Sequence, residues 1–531
     1  MPALSQISAT GIQDLPLVSS PEITFWTVEY KRHSNFAMES IENNFQQTAD
    51  FGRKASCLMQ RVGDLAYRVY LQVTLPEVSS SAAKHARWLD YIGEHLIAEA
   101  EVQIGGQKID RQYGEWIHIW NQLTLPLGQR KNYHKMIGHT TQLTYITDPS
   151  FADVAGPCAS GSGPAQVCAP RNALPETTLY IPLTFWFCLN PGLALPIVAL
   201  PFHEIKIDIT FRPLGECLWA VSSLTASADS VKSTSGAYSL SLVAASLYVD
   251  YIFLDVDERT IMAKNPHEYL INQLQYSGEE SVGSSSHKIK LNFSHPVREL
   301  IFVVQPDANV DYCSSLIGGT ALYKVLGAQP FNFTDAIDAL PRAIHAFGSE
   351  AATSGATEFL TSSGTFETAG ALELNTAASA ANWGGAGAAN LFGEDAPQGS
   401  LVSDAGTYVL AETARDLHCW GENPVVTCVL KLNGQDRFSV REGSYFDRVQ
   451  HFQHHTNAGD DGINIYSFAL KPEEYAPSGA CNFSRMDNAE LHVVLSSNAV
   501  SGTNTAKARV YALNTNQLQI TNGMAGIKFA S

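Results

Sequence analysis

Three histidines and two aspartates fall within thirteen residues of this chain, in "QHFQHHTNAGDDG" from Gln450 to Gly462. Imidazoles and carboxylates so close together suit a zinc site or an acid–base pair. Zinc needs its ligand nitrogens about 2.0–2.1 Å from one ion, and i,i+4 spacing on a helix permits that. Extended backbone does not: at ~3.3 Å per residue, His451 and His455 would lie roughly 13 Å apart, with His454 on the opposite face. The flanks favour the extended reading. The cluster follows "GSYFDRVQHFQ" and precedes the strand-like "INIYSFAL", and "TNAGDDG" holds residues that tolerate turns. The stretch therefore reads as the polar rim of a connection between strands, and no metal ligand is assigned to it.

Other candidates are weaker. "FHEIKID" opens like a zincin helix but lacks the second histidine and alternates as a strand. "GGAGAAN" (384–390) ends in Asn where a dinucleotide loop needs Gly. There is no G-x-S-x-G elbow and no Walker A loop. No catalytic residue and no cofactor is expected, and the chain reads as a non-enzyme. Three N-F-[ST] sequons occur, at Asn292, Asn332 and Asn482. Asn292 and Asn482 read as structural, which leaves Asn332 as the candidate for glycosylation. The nine cysteines form no CxxC pair, so they read as reduced thiols; Cys158 and Cys168 are the one pair close enough in a loop to bridge.

The elements that would carry such residues are mostly strands. "IKIDITF" (Ile205–Phe211) alternates cleanly, and "SLYVDYIFLDV", "HKIKLNF", "ELIFVVQ", "NIYSFAL" and "AELHVVL" are similar short runs between turn clusters. The best helical pattern is "AKHARWLDYIGEHLIAEAE" (83–101), and "ERTIMAKNPHEYLI" holds a shorter one. Thr177 to Phe202 carries no charge over 26 positions, but four prolines interrupt it. It reads as a buried strand and a proline-rich connection, not a membrane span. The N-terminus lacks the basic start and apolar run of a signal peptide. With 34 basic and 52 acidic residues the formal charge is −18, which disfavours direct contact with nucleic acid.

The chain also repeats itself. "EVQIGGQKIDRQYGEWI" resembles "VLKLNGQDRFSVREGSYF": a strand, a Gly-Gln turn, then polar residues leading to an aromatic. Strands ending near prolines and cleanly alternating strands follow in the same order in both halves. Duplication of an all-β unit is the economical reading. Two insertions stand apart, 144–178 and 343–414. The second has no Lys or Arg in 72 residues and eight acidic ones, as an exposed loop would.

"SPEITFWTVEYKRHSNFAMESI", "RVGDLAYRVYLQVTL", "NPGLALPIVALPFHEIKI", "VDYIFLDVDERTIMAKNPHEYLINQLQ", "LNGQDRFSVREGSYF" and "FALKPEEYAPSGACNFSRMDNAEL" resemble, in order, the major capsid proteins of large eukaryotic DNA viruses, with the algal phycodnaviruses nearest in pattern. The resemblance implies an all-β fold, a tandem double jelly roll of two eight-stranded antiparallel sandwiches with long surface loop insertions. It implies an N-terminal segment (1–23), a first roll (24–256), a connector (257–275) and a second roll (276–531) with an exposed insertion at about 309–419. The implied function is structural: a homotrimer forms a pseudo-hexagonal capsomer that tiles the icosahedral shell of a virion assembled in the host cytoplasm. Implied partners are neighbouring capsomers, minor capsid proteins and a pentameric vertex protein, with an internal membrane only indirectly and no direct nucleic acid. The alternative is a jelly-roll carbohydrate-binding surface protein. A narrower question concerns His451, His454 and His455: at a capsomer contact, their protonation near pH 6 would loosen the lattice.

Overall fold

A computed structural model describes residues 33–79, 85–144, 147–148, 169–170, 174–221, 237–310, 329–335, 422–502 and 504–529. The N-terminal segment, Cys158 and Cys168, and the acidic stretch 343–414 lie outside the described residues.

Sixteen strands build the frame. In the first half these are β1 (Phe36–Asn44), β2 (Lys54–Leu58), β3 (Leu65–Leu75), β4 (Ile97–Ile104), β5 (Gln107–Tyr113), β6 (Thr177–Pro182), β7 (Ile205–Phe211) and β8 (Ala244–Leu254). The second half has β9 (His267–Val282), β10 (Ser286–Lys290), β11 (Pro296–Pro306), β12 (Val425–Leu432), β13 (Gln435–Asp436), β14 (Ile463–Ser467), β15 (Ala489–Leu495) and β16 (Ala506–Thr521). The first half makes two four-stranded sheets, β1-β8-β3-β6 and β2-β7-β4-β5. The second makes β9-β16-β11-β14 and β10-β15-β12-β13, with short strands added at the edges. Adding eight to each strand number turns the first order into the second. All these pairings are antiparallel, and two such facing sheets with this strand order make a jelly roll.

Alternation explains each sandwich. In β7, Ile205, Ile207, Ile209 and Phe211 are all buried, and they join Val69, Leu71, Val249 and Trp88 in the first core. In the second core, Leu300, Phe302 and Val304 of β11 meet Leu491 and Val493 of β15. The duplicated hairpins close alike: Gly105 and Gly106 have φ of 58° and 82°, and Asn433 and Gly434 have 52° and 79°. Positive φ at both central residues is what a tight hairpin turn demands, and Gly and Asn are the residues that adopt it.

Four helices matter: α1 (Gly114–Thr124), α2 (Leu127–Met136), α3 (Val256–Lys264) and α4 (Gln450–His454), the last continuing a π-helical turn at Tyr445–Val449. Two expectations need correction here. The expected helix at 83–101 is not one: its described residues, 85–101, form a strand at His85–Trp88, a short helix at Ile92–Leu96 and the start of β4. Tyr91 has φ 53°, which no right-handed helix can contain, and pairing of β4 with β5 and β7 outweighs helix propensity. Of the expected connector, 257–264 belong to α3, but 267–275 are the first part of β9, paired with β16 from His267 to Val282. The run Thr177–Phe202 is β6 followed by short helical turns, as its prolines require. No helix among the described residues is long and apolar enough to cross a membrane.

Candidate functional site

The histidine cluster is helical where the sequence reading made it extended. Gln450–His454 is the last turn of a helical run that starts at Gly443, after the short edge strand Arg441–Glu442, and β14 begins only at Ile463. What decides this is burial: Phe446, Gln450 and His451 face inwards at a spacing of four and one, which only a helical turn can bring to one side.

The three imidazoles have different environments. His455 is fully buried between two carboxylates, its Nε2 2.9 Å from Glu299 Oε2 on β11 and its Nδ1 2.8 Å from Glu473 Oε1. Burial alone would lower its pKa, but the charge of Glu299 and the hydrogen bonds to both carboxylates raise it to about 9. His455 is therefore an imidazolium. Glu473 also accepts hydrogen bonds from the Thr456 N–H at 2.8 Å and from the Thr456 hydroxyl. The His451 ring accepts from the Gly459 N–H at Nδ1 (3.0 Å), so its proton sits on Nε2. Burial pushes its pKa down to about 4, and the positive charge of His455 adds to this. His454 is more open, with Nδ1 3.0 Å from the Leu470 carbonyl and so donating to it. Neither buried histidine titrates near pH 6, so His451 and His455 are not suited to a lattice switch there. Among the described residues no group of three or more His, Cys, Asp or Glu is arranged to hold a metal ion. The arrangement fastens the helix to β11 and to the loop after β14.

The rest of the motif reaches the other half of the molecule. Asn457 N donates to Leu123 O at 3.0 Å and its side-chain amide donates to Leu125 O, closing the end of α1. That helix lies across the seam between the rolls. Trp116, Ile119, Trp120 and Leu123 occupy positions i, i+3, i+4 and i+7, and they bury against Ile301 and Val303 of β11, Ile463 and Ile465 of β14, and Tyr511 and Leu513 of β16. The outer face of the second roll's sheet is thus covered by a helix of the first roll. This third core was missed in the sequence, although the helical spacing was there in "WIHIWNQL". On its other side α1 carries His118, whose Nδ1 lies 2.7 Å from Glu94 Oε2, while Glu94 Oε1 accepts from the Tyr133 hydroxyl at 2.6 Å. Burial would raise the Glu94 pKa, yet His118 and these hydrogen bonds hold it below the usual value. Both side chains are only 1% exposed, so the pair serves packing and offers no surface to a substrate.

The seam is sealed lower down by Asp110 on β5, whose Oδ1 accepts from the Leu274 N–H of β9 at 3.1 Å. Burial pushes its pKa up to about 6. A cavity of about 340 Å³ adjoins it, between Lys108, Arg111, Gln275 and Asn516.

The sequons resolve into local geometry. Asn332 Oδ1 accepts from the Thr334 N–H (3.1 Å) and hydroxyl (2.6 Å), and its Nδ2 donates to Gln329. Asn482 Oδ1 accepts from the Ser484 N–H at 3.0 Å in the same turn. Such turns favour Asn with Ser or Thr two residues on, without any modification. Asn292 is exposed after β10. The five described cysteines, Cys57, Cys188, Cys217, Cys428 and Cys481, are free.

Known proteins agree with this architecture. Residues 24–255 match the family described as "Major capsid protein N-terminus", and 258–526 match "Large eukaryotic DNA virus major capsid protein". The chain is 60% identical to the major capsid protein of Phaeocystis pouchetii virus and 56% identical to that of Chrysochromulina ericina virus, with 99% of each chain covered in both cases. Among solved structures, PBCV-1 VP54, fitted into a reconstruction of the virophage Sputnik, is 26% identical with a TM-score of 0.61 over 96% of this chain and 100% of that one. The Faustovirus major capsid protein shares the fold at a TM-score of 0.61 and 13% identity, covering 96% and 94%. The comparisons lend nothing to the carbohydrate-binding alternative. With two matching rolls and a full-length correspondence, this chain belongs to the major capsid proteins of large eukaryotic DNA viruses, structural proteins of the icosahedral shell.

Proposed function

We propose that three copies of this chain form a pseudo-hexagonal capsomer, each supplying two of its six rolls, with 24–256 as the first unit and 276–531 as the second. The observation that carries this reading is the identical strand order of the two halves, β1-β8-β3-β6 and β9-β16-β11-β14. Two like units in one chain give a threefold object six like sides, which is what a hexagonal lattice needs from neighbours that are nearly equivalent. The third core at α1 supports it further, because it holds the two rolls at one fixed angle. A chain hinged between its rolls would not.

Partners beyond the capsomer follow from position. The first insertion runs into the start of β6, which lies beside the end of β3, and the second follows the end of β11, the counterpart of β3, so both join the same end of their rolls. That end would form the outer surface, and the opposite end would meet minor capsid proteins and, through them, an internal membrane. A pentameric vertex protein would fill positions that a six-sided unit cannot. Assembly would take place in the host cytoplasm. The acidic chain suits a shell kept apart from the genome. Glycosylation of Asn332 stays within this proposal and competes with the hydrogen bonds its amide already makes. Sedimentation of the purified chain tests the central reading: three times the 57.7 kDa chain mass is expected, and a monomer at micromolar concentration overturns it.

A further inference from the structure

The two rolls are equivalent, but their helices are not equally covered. Gly114 and Gly443 open the helical segments after β5 and after the β12–β13 hairpin. A Cβ on Gly114 would collide with the carbonyl oxygen of Ile97, the first residue of β4; one on Gly443 would collide with that of Val425, the first residue of β12. Counting from these two glycines aligns the helices. Three residues on, Ile117 and Phe446 each enter the core of their own roll. Two, five, six and nine residues on, the first helix presents Trp116, Ile119, Trp120 and Leu123, all buried against the outer sheet face of the second roll. The same positions in the second helix are Tyr445, Arg448, Val449 and Phe452. None of these is buried: Val449 is 41% exposed and Phe452, the most exposed large apolar side chain in the molecule's described residues, is 90% exposed.

The surface that would receive them also has its counterpart. The sheet face covered by α1 belongs to β11, β14 and β16, and its equivalents in the first roll are β3, β6 and β8. On the outer face of those strands Tyr70, Tyr180 and Tyr248 form a row, with Tyr70 stacked on Tyr248 at 5.2 Å and 6.2 Å from Tyr180. Tyr180 is 39% exposed, and Tyr70 and Tyr248 are half-buried. Glu42 and Asp250 lie on the same face as the tyrosines, opposite in sign to Arg448. Half-open tyrosines and an exposed phenylalanine are the residue types that anchor protein interfaces.

We propose that the Phe452 face of one chain docks on the tyrosine face of the first roll of a second copy, repeating between chains the contact that α1 makes within one. Repeated three times, this closes a ring in which every roll covers the next. The inference rests on the trimer reading above and names its joining surfaces. The staple formed by His455, Glu299 and Glu473 then has a purpose, since it fixes the helix end that carries Phe452.

The test uses the full chain in two forms. In sedimentation equilibrium, Phe452→Ser and the Tyr70→Ser/Tyr180→Ser pair should each weaken the trimer by ~30-fold or more, as removal of an interface anchor does, with an unchanged circular-dichroism spectrum. In the second form Phe452 is replaced by p-benzoylphenylalanine and irradiated. Chains joined through β3, β6 or β8 support the proposal. A wild-type trimer whose cross-links map to another surface overturns it and leaves the trimer standing. A wild-type monomer overturns the trimer itself. The cross-link decides the matter if the serine variants misfold, because it keeps an aromatic ring at the position.

Discussion

Replacing His455 by Gln removes the positive charge from between Glu299 and Glu473 and leaves Glu299, fully buried, without its counter-charge. Two lines give the magnitude. Breaking a buried ion pair by removing one partner costs about 3–5 kcal/mol. Independently, the His455 pKa rises from 6.5 to about 9 on folding, and a shift of that size is worth about 3 kcal/mol. The sign follows from the direction. A raised folded pKa gives stability that is fully present below pH 6.5 and is lost as pH rises through 9. Glu473 has a depressed pKa, so its share is present above 4.5 and disappears as pH falls. The staple is thus strongest between those two limits. Guanidinium unfolding followed by circular dichroism, at a series of pH values from about 6 to 9.5, reads both effects. The wild type should lose about 3 kcal/mol across that range through this group, while His455→Gln starts lower by a similar amount and lacks that part of the slope. If the variant loses less than about 1 kcal/mol at the acid end, or keeps the wild-type slope, the buried staple does not contribute as argued.

Three further outcomes are expected. Trp120→Ala empties part of the seam between the rolls and should cost about 3–5 kcal/mol, splitting a single calorimetric transition into two as the rolls uncouple. Gly443→Ala forces a Cβ onto the Val425 carbonyl and should leave little soluble protein, whereas Gly106→Ala meets open space and costs only the ~1 kcal/mol of its positive φ, measured as the shift in unfolding midpoint. Asp110 and Asp447 both have pKa values pushed up from 3.8 to about 6 by burial, so they make the chain more stable as pH falls from about 7 towards 4; in Asp110→Asn/Asp447→Asn that part of the pH dependence should vanish from denaturant titrations.

Much of the frame is legible in the sequence because strands announce themselves locally. The alternation in "IKIDITF" and the hairpin turns at Gly105–Gly106 and Asn433–Gly434 need no distant partner to be recognised. The failures share one cause, in that tertiary contact overrode local pattern. Residues 83–101 look helical, but Tyr91 turns left-handed and β4 joins a sheet. "QHFQHH" looks like a loop rim, yet Glu299, more than 150 residues earlier in the chain, draws His455 inwards. The seam helix kept its helical spacing in plain view, but "DRQYGEW" reads only as polar residues leading to an aromatic. Of the opening motif, His451, His455 and Asn457 hold the structure together, while its large apolar side chain, Phe452, stands exposed.

The central claim is that two equivalent rolls per chain make a six-sided unit from three chains. Electron microscopy of the purified chain, class-averaged along the particle axis, examines this most directly. A closed ring with six lobes of similar density and threefold symmetry is expected. Particles with two lobes only, or rings whose number of lobes is not six, would contradict it.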